Sequence, residues 1–231
     1  MTEQPQDHAA INRAYGDGRA GGVAGTGQRN WAATEPIWGI WDIPQSRLPV
    51  LPDDVAGADV VELGCGTAYV SAWLARRGAR PVGLDSSRRH LAAARALQER
   101  HALRFPLHLG DAEATPFADA SFDLAISEFG ASVWHDPGRW IPEAARILRP
   151  AGQLIFMRNS TLLTESSPPR GELIGLLRAS GFVLEDLLEA RAPAGVASVP
   201  GPVTPAWAAH WPAEEVWLAR RIGTAGLGAV A

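Results

Sequence analysis

The feature that most restricts the fold of this chain is the run Val60-Val61-Glu62-Leu63-Gly64-Cys65-Gly66. Its apolar residues are typical of a buried strand, and its glycines allow a tight turn. Val70, Trp73 and Leu74 follow at the spacing of a helix face, and Gly78 ends that pattern. A strand, a glycine turn and a helix in this order predict the first unit of a parallel sheet.

A strand and a helix recur downstream of this unit. Residues 81–84 form a second apolar run, Asp85-Ser86-Ser87 is typical of a helix start, and Leu91, Ala94 and Leu97 share one helix face. Because this alternation continues, we expect an α/β fold, a Rossmann-like, doubly wound and mostly parallel seven-stranded sheet with helices on both faces. The other predicted elements are strands at residues 107–109, 122–126, 153–157, 183–188 and 215–220, helices at 138–148 and 172–179, and a turn at 149–152.

The length and hydrophobic content of the chain favour one domain with appendages. At 231 residues and 46% hydrophobic residues, one full core is expected, whereas two compact domains would be cramped. Residues 1–30 are polar and glycine-rich, which predicts a flexible tail. Residues 31–58 contain three tryptophans and several prolines, so we expect a non-helical N-terminal cover segment that packs on the domain formed by residues 59–231.

The charge and the cysteine content exclude several classes of function. The net charge is -4 and the basic residues are scattered, so no nucleic-acid partner is expected. No stretch has transmembrane length and no signal-peptide pattern is present, which predicts no membrane partner and a cytoplasmic location. A single cysteine, Cys65, excludes an internal disulfide, and no metal site is expected.

The first glycine turn is the place where a ligand is expected. A helix N-terminus presents free N–H groups, and Gly64 and Gly66 let the backbone approach a ligand, although the same glycines would also serve a tight turn alone. Asp85 ends the second strand, 21 residues after Gly64, where a carboxylate can accept hydrogen bonds from ribose hydroxyls. It can also cap the following helix, and both roles are compatible. The combination favours a ribose-containing ligand.

Four landmarks resemble, in matching order, those of class I S-adenosylmethionine-dependent methyltransferases, and most closely the type 11 group. The resemblance runs from about residue 60 to residue 157, and Ala68 replaces the third glycine of the first motif. The landmarks are Val61-Glu62-Leu63-Gly64-Cys65-Gly66-Thr67-Ala68, Asp85, Gly110-Asp111-Ala112 and Leu148-Arg149-Pro150-Ala151-Gly152.

The resemblance implies S-adenosylmethionine as the cofactor and a role for each matching position. Glu62 would lie near the amino group of the methionine moiety, and Asp85 would hold the ribose. Asp111 would contact the adenine amino group while Ala112 offers its N–H to the ring. The remaining residues expected to border the cofactor are Gly64, Cys65, Gly66, Thr67, Ser86 and Ser127.

The acceptor half of the site is less well defined by the sequence. We expect methyl transfer by in-line displacement to a small-molecule oxygen, nitrogen or carbon acceptor. His135 and Glu128 follow the fourth strand and are candidate general bases, although a loop histidine and a carboxylate satisfied by neighbouring N–H groups are the competing interpretations. The aromatic side chains that could form a pocket for the acceptor are those of Trp38, Trp41 and Trp134.

Two other functions stay open at this point. Only residues 159–171 connect the fifth strand to the next helix, a short connection that is compatible with a module that binds S-adenosylmethionine without turnover. An NAD-dependent dehydrogenase is the second alternative. It is disfavoured because Tyr69 stands where a dinucleotide fingerprint requires a third small residue.

Overall fold

The computed structural model describes residues 27–163, 168–195 and 204–223. Within these ranges the chain forms one large sheet flanked by helices and a small N-terminal hairpin. In chain order, the elements are a helical segment at residues 27–32 (α1), β1 (Ile37–Trp38), β2 (Ile43–Pro44), β3 (Asp59–Leu63), α2 (Tyr69–Arg76), β4 (Arg80–Asp85), α3 (Arg88–Arg100), β5 (Leu107–Leu109), β6 (Phe122–Glu128), α4 (Ala131–Trp134), α5 (Pro137–Ile147), β7 (Leu148–Asn159), α6 (Arg170–Ala179), β8 (Phe182–Ala190), α7 (Pro205–His210) and β9 (Glu214–Arg221).

The order of the strands confirms the predicted fold class. The large sheet has the order β5-β4-β3-β6-β7-β9-β8. Neighbours from β5 to β7 are parallel, and β9 lies antiparallel between β7 and β8. The chain winds outward from β3 through β4 to β5 and then crosses back to place β6 on the other side of β3, so the direction of winding reverses at β3. In open sheets of this kind, the carboxyl ends of the strands at such a reversal border the ligand site.

Local sequence signals account for most of the element boundaries. Helix α3 begins at Ser87, whose side chain accepts the N–H of His90. Helix α5 begins at Asp136, whose side chain accepts the N–H of Gly138, and Pro137 occupies its first turn. Side-chain caps of this type satisfy N–H groups that have no partner inside the helix.

Strand β7 differs from the prediction because it includes the residues expected to turn the chain. Leu148 pairs with Phe122 and Gln153 pairs with Leu124, so the four residues 149–152 bulge opposite a single residue of β6. Ala151 has a positive φ of 65° within this bulge. The residues that the sequence predicted to form a turn therefore form a bulge within β7, and the strand continues on both sides of this bulge.

The N-terminal segment packs into the core that covers one face of the sheet. Trp31 and Trp38 are almost completely buried there, together with residues of β3, α2 and β6. Residues 27–32 are helical, so the predicted tail boundary at residue 30 falls inside a helix; residues 1–26 lie outside the described ranges. No helix in the described part of the chain is long and apolar enough to cross a membrane.

Candidate active site

The glycine turn connects β3 to α2 at the carboxyl edge of the sheet. Gly64, Gly66 and Ala68 all have positive φ, of 75°, 53° and 56°. A Cβ on Gly64 would lie 2.6 Å from the Cα of Gly130, so this position needs glycine for steric reasons as well. A Cβ on Gly66 would meet no heavy atom of the described residues within 4 Å. The turn is therefore closed against the loop after β6 on one side and open at Gly66.

The carboxylate of Asp85 fixes the shape of this turn. Its Oδ2 accepts the N–H of Gly66 at 2.7 Å, and its Oδ1 accepts the N–H of Ser87 at 2.8 Å. The Nδ1 of His90 lies 3.3 Å from the same Oδ1. Asp85 thus takes part in starting α3, which is the competing role considered from the sequence, and it also lies directly beside the open glycine. A ribose contact is compatible with this position.

Glu62 is a buried acid behind the turn. Its Oε2 accepts the N–H of Ser71 at 2.8 Å and the hydroxyl hydrogen of Ser71 at 2.5 Å. Burial, with smaller effects of the charges of Glu128 and Asp85, raises the pKa of this carboxyl to about 8, against the lowering effect of the hydrogen bonds from Ser71. A cation placed beside Glu62 would stabilise the ionised carboxylate.

The N-terminal helix covers part of the turn. The indole Nε1 of Trp31 donates to the carbonyl of Thr67 at 2.9 Å, and a Cβ on Gly27 would lie 2.5 Å from the Thr67 hydroxyl oxygen. The Cys65 side chain is buried, and burial raises the pKa of its thiol well above the usual value. A buried thiol with a raised pKa forms little thiolate, so Cys65 packs in the core and does not act as a nucleophile.

The other residues expected to border the cofactor lie at the ends of neighbouring strands. The hydroxyl of Ser127 donates to the carbonyl of Leu63 at 2.8 Å and accepts the N–H of Ser132, which ties β6 to the start of the turn. Ala112 is buried and Ser86 is half-buried. All of these residues belong to the carboxyl edge of the sheet.

Two residues that the sequence assigned to different roles form a pair. The Nε2 of His135 lies 3.2 Å from the Oδ1 of Asp111. The same oxygen accepts the N–H of Glu113 at 2.9 Å. The His135 side chain is 7% exposed, and its Nδ1 is buried without a hydrogen-bond partner among the described residues. Because a neutral histidine that donates from Nε2 has a lone pair on Nδ1, Asp111 leaves Nδ1 available as a proton acceptor.

Glu128, the other candidate base, contacts the N-terminal hairpin. Its Oε1 accepts the N–H of Gly39 at 3.0 Å. The hydroxyl of Tyr69 lies beside this carboxylate and donates to the carbonyl of Ile37. Burial raises the pKa of Glu128 to about 7, against the lowering effect of these hydrogen bonds. One oxygen of the Glu128 carboxylate thus accepts a hydrogen bond from the hairpin. Because the pKa of this carboxyl is near neutral pH, Glu128 can also take up or release a proton there.

A further acid near the hairpin, the buried Glu214, has no counterpart among the sequence predictions. Its Oε1 accepts the N–H of Ile40 at 2.6 Å, and its Oε2 is buried without a partner among the described residues. Burial raises its pKa to about 8, and the charge of Glu128 adds to this effect. The turn of the hairpin is therefore held by two carboxylates, one at the end of β6 and one at the start of β9.

The three tryptophans expected to line an acceptor pocket lie in different environments. Trp38 is buried, its Nε1 donates to Gln45 at 2.8 Å, and its ring packs on Tyr69. Trp41 is buried in the same core, whereas Trp134 is 39% exposed. The first two stabilise the hairpin by packing, and a contact of any of the three with an acceptor stays a prediction.

Comparisons with known proteins agree with this arrangement. A sequence model described as a methyltransferase domain, of the type 11 group, matches residues 61–156. This range begins in β3 and ends in β7, so it includes the glycine turn, Asp85 and the Asp111–His135 pair. Residues 61–156 therefore match a methyltransferase domain, in agreement with the resemblance to class I S-adenosylmethionine-dependent methyltransferases.

Individual relatives of this methyltransferase domain cover different shares of the chain. A demethylmenaquinone methyltransferase of Corynebacterium kroppenstedtii is 38% identical over 109 residues, which are 47% of this chain and 45% of that protein. The chain spans about half the length of the curated relatives it matches. Among solved structures, an S-adenosylmethionine-dependent methyltransferase of Mesorhizobium loti has a TM-score of 0.62, 22% identity and coverage of 75% and 95%. The [4+2]-cyclase SpnF has a TM-score of 0.68, 21% identity and coverage of 92% and 97%.

The residues of the methyltransferase domain fit its cofactor, S-adenosylmethionine. Gly66 leaves open space where a ligand can approach the backbone. Asp85 lies beside that opening, and carboxylates accept hydrogen bonds from ribose hydroxyls. The cofactor carries an ammonium group and a sulfonium group, and no cation of the described residues forms an ion pair with Glu62 or Glu128, whose pKa values burial raises. The charge of the cofactor matches this requirement.

Proposed function

We propose that the chain is an S-adenosylmethionine-dependent methyltransferase that acts on a small-molecule oxygen, nitrogen or carbon acceptor. The observation that carries the proposal is the match of residues 61–156 to the methyltransferase domain, with Asp85 and the open Gly66 in one hydrogen-bonded turn. The proposed contacts are those that the family resemblance implies: Glu62 with the ammonium group, Asp85 with the ribose, and Asp111 and Ala112 with the adenine.

The protein has few chemical tasks in such a reaction. The cofactor supplies a methyl group that is already activated by its bond to a sulfonium sulfur. The residues around the turn hold the donor in one orientation and keep water away, so that the acceptor attacks in line with the breaking bond between sulfur and carbon. When the acceptor is a hydroxyl or an amine, its proton must also be removed.

We assign the removal of this proton to His135. Asp111 holds the proton of the neutral ring on Nε2, so the lone pair of the buried Nδ1 can take the proton from the acceptor. The bond from the methyl carbon to the acceptor forms as the bond to sulfur breaks, and the proton moves to Nδ1. Glu128 is the second choice, because its carboxylate already accepts the N–H of Gly39.

A small-molecule acceptor is supported by the relatives and by the charge of the chain. One relative is named a demethylmenaquinone methyltransferase, which is an enzyme acting on a quinone. The net charge of -4 gives no basic surface for nucleic acid. A domain that binds S-adenosylmethionine without methyl transfer is the second candidate, favoured by the short connection between the end of β7 at Asn159 and the start of α6 at Arg170.

The proposal is tested by turnover of methyl-labelled S-adenosylmethionine with a panel of quinones, phenols, amines and small acids. Mass spectrometry of the products and of released S-adenosylhomocysteine measures the transfer. We expect one acceptor class to be methylated. Binding of S-adenosylhomocysteine without any methylated product, even in cell extracts, would support the non-catalytic module instead.

If the chain were an NAD-dependent dehydrogenase, NAD would bind to it and S-adenosylhomocysteine would not. Tyr69 opens α2 with a buried side chain, at the place where a pyrophosphate would need a small residue. We therefore expect S-adenosylhomocysteine to raise the melting temperature and NAD to leave it unchanged, because only a ligand of the folded state stabilises it.

A further inference from the structure

A cavity lies at the carboxyl end of β7. Its volume is about 140 Å³. Helices α4 and α5 form one side of it, and the end of β7 with the start of α6 forms the other. The residues of its wall that matter for binding are Ser132, His135, Trp140, Phe156, Arg158 and Leu173.

Arg158 is a buried cation in the wall of this cavity. It is 3% exposed, and its hydrogen bonds are a contact of 3.3 Å to the carbonyl of Asn159 and one of 3.4 Å to the carbonyl of Pro168. No carboxylate of the described residues lies within 4 Å of it. Glu215, its cross-strand neighbour, is instead paired with Arg170 at 2.8 Å. Desolvation lowers the pKa of this buried guanidinium, and the attraction of Glu215, which is itself paired with Arg170, offsets that effect only in part.

Two more polar atoms of the wall are buried without partners among the described residues. They are the Nε1 of Trp140 and the Nδ1 of His135. Buried polar groups in folded proteins nearly always form hydrogen bonds, so unpaired ones that line one cavity point to a bound molecule. Trp140 and Arg158 can donate to an anionic oxygen, and His135 can accept from a hydroxyl or donate when it is protonated.

The rest of the wall suits a planar apolar body. Trp140 and Phe156 meet edge to face, with ring centroids 5.3 Å apart, and Leu173 packs in the same cluster. A cavity of about 150 Å³ is known to hold a benzene ring, so the volume of this one fits a single aromatic ring.

We propose that this cavity binds a small aromatic carboxylate, whose carboxylate pairs with Arg158 and accepts a hydrogen bond from Trp140. The parallel pairing of β3 with β6 and of β6 with β7 places the end of β7, which borders the cavity, two strands from β3, which leads into the cofactor turn. Its assignment as the acceptor subsite, with His135 facing the ring, rests on the methyl transfer proposed above. Binding of an aromatic carboxylate in the cavity does not depend on whether methyl transfer takes place.

The test is calorimetric binding of benzoate to the full chain saturated with S-adenosylhomocysteine, and to the chain alone. We expect benzoate to bind, and neutral benzamide to bind at least about tenfold more weakly, because a charge-assisted hydrogen bond is lost. Inorganic phosphate is the competing anion. Equal binding of benzoate and benzamide, or tighter binding of phosphate, would overturn the proposed ligand class.

Three variants separate a ligand-binding role of Arg158 from a structural one. Arg158→Met should reduce benzoate affinity at least about tenfold while the melting temperature of the ligand-free protein stays equal or rises, because an unpaired buried charge is removed. Trp140→Phe keeps the ring and removes the donor, so affinity should fall severalfold with little loss of stability. Arg139→Gln, a control at an exposed arginine of α5, should leave benzoate binding unchanged.

A large drop in melting temperature for Arg158→Met would show that the arginine is structural and would overturn the proposal. Glu165→Gln tests the acid that precedes the cavity residue Pro168 in the sequence. Benzoate binding to this variant but not to the wild type would mean that the protein neutralises Arg158 itself, which also contradicts the proposal. If benzoate binds while S-adenosylhomocysteine does not, the cavity assignment stands and the proposed methyltransferase function fails.

Discussion

His135 Nε2 lies 3.2 Å from Asp111 Oδ1, at the edge of the sheet where β5 and β6 end. The pair connects the residue expected to recognise adenine with the residue expected to act as the base. A ring proton on Nε2 would face this carboxylate and leave the buried Nδ1 as the proton acceptor. A change at either residue should affect proton removal.

We expect His135→Gln to lower kcat by about 10²-fold to 10⁴-fold with any hydroxyl or amine acceptor, which is the usual contribution of a general base. Affinity for S-adenosylhomocysteine should change little. Initial rates at saturating acceptor measure this effect, with His210→Gln of α7 as the control. An unchanged kcat in His135→Gln would rule out this histidine as the base.

The affinity for the cofactor should depend on pH through Glu62. The pKa of its carboxyl is about 8 without a cation, so this acid is largely protonated at pH 6 and must lose its proton to pair with an ammonium group. We expect affinity for S-adenosylhomocysteine to rise from pH 6 to pH 8. In Glu62→Gln this rise should be smaller and the affinity at pH 8 lower. Calorimetry in two buffers of different ionisation enthalpy measures the released proton, and equal slopes in both proteins would contradict the assignment.

Gly39→Ala should destabilise the hairpin against the sheet. Gly39 has a φ of +71°, and a Cβ there would lie 2.4 Å from the Oε2 of Glu214. We expect a loss of about 1–3 kcal/mol in the free energy of unfolding. Gly175→Ala in α6 is the matched control, because its Cβ meets nothing within 4 Å and alanine should stabilise a helix by about 0.4–1 kcal/mol. Urea unfolding distinguishes the two, and equal effects would show that the hairpin turn is not constrained.

The stability of the protein should decrease as the pH rises through the range set by Glu214. Its pKa is raised from 4.5 to about 8 in the folded protein, so the folded state holds a proton that the unfolded state releases. The stabilisation of the folded state by the protonated Glu214 is complete below about pH 4.5 and is lost as the pH rises to about 8. The free energy of unfolding should therefore fall by up to about 1.4 kcal/mol per pH unit for this one group.

Glu214→Gln should remove this contribution and make the dependence on pH less steep. The amide oxygen of glutamine can still accept the N–H of Ile40. Urea unfolding between pH 5 and pH 8.5 measures the effect, with Glu99→Gln at an exposed position of α3 as the control. A wild type whose stability rises with pH over this interval would contradict the raised pKa.

The alternation of strands and helices was predictable because each signal for it is local. The apolar run before Gly64, the cap at Ser87 and the helix spacing of Leu91 depend only on residues within a few positions. The position of the cofactor site was predictable as well, because the carboxyl ends of parallel strands lie at the same edge of a sheet. Asp85 beside Gly66 follows from that geometry.

The hairpin and its carboxylates were not predictable, because their contacts join distant parts of the chain. Glu214 and Ile40 are 174 positions apart, and Gly39 is 89 positions from Glu128. Strands of two residues are also too short to show a period. Glu214 and Arg158 carry no sequence signal of burial, since charged residues in a strand normally face water. Trp38 and Trp41 indicated packing, yet the sequence did not show what they pack against.

The most direct test of the cofactor site is calorimetric titration of the wild type and of Asp85→Ala with S-adenosylhomocysteine and its 2′-deoxy analogue. The account predicts that the wild type binds the ribose compound more tightly than the deoxy compound. In Asp85→Ala the ribose compound should bind more weakly by about 1 kcal/mol or more, and the preference between the two ligands should disappear. Absence of binding to the wild type, or an unchanged preference in Asp85→Ala, would contradict the central claim that this turn holds S-adenosylmethionine.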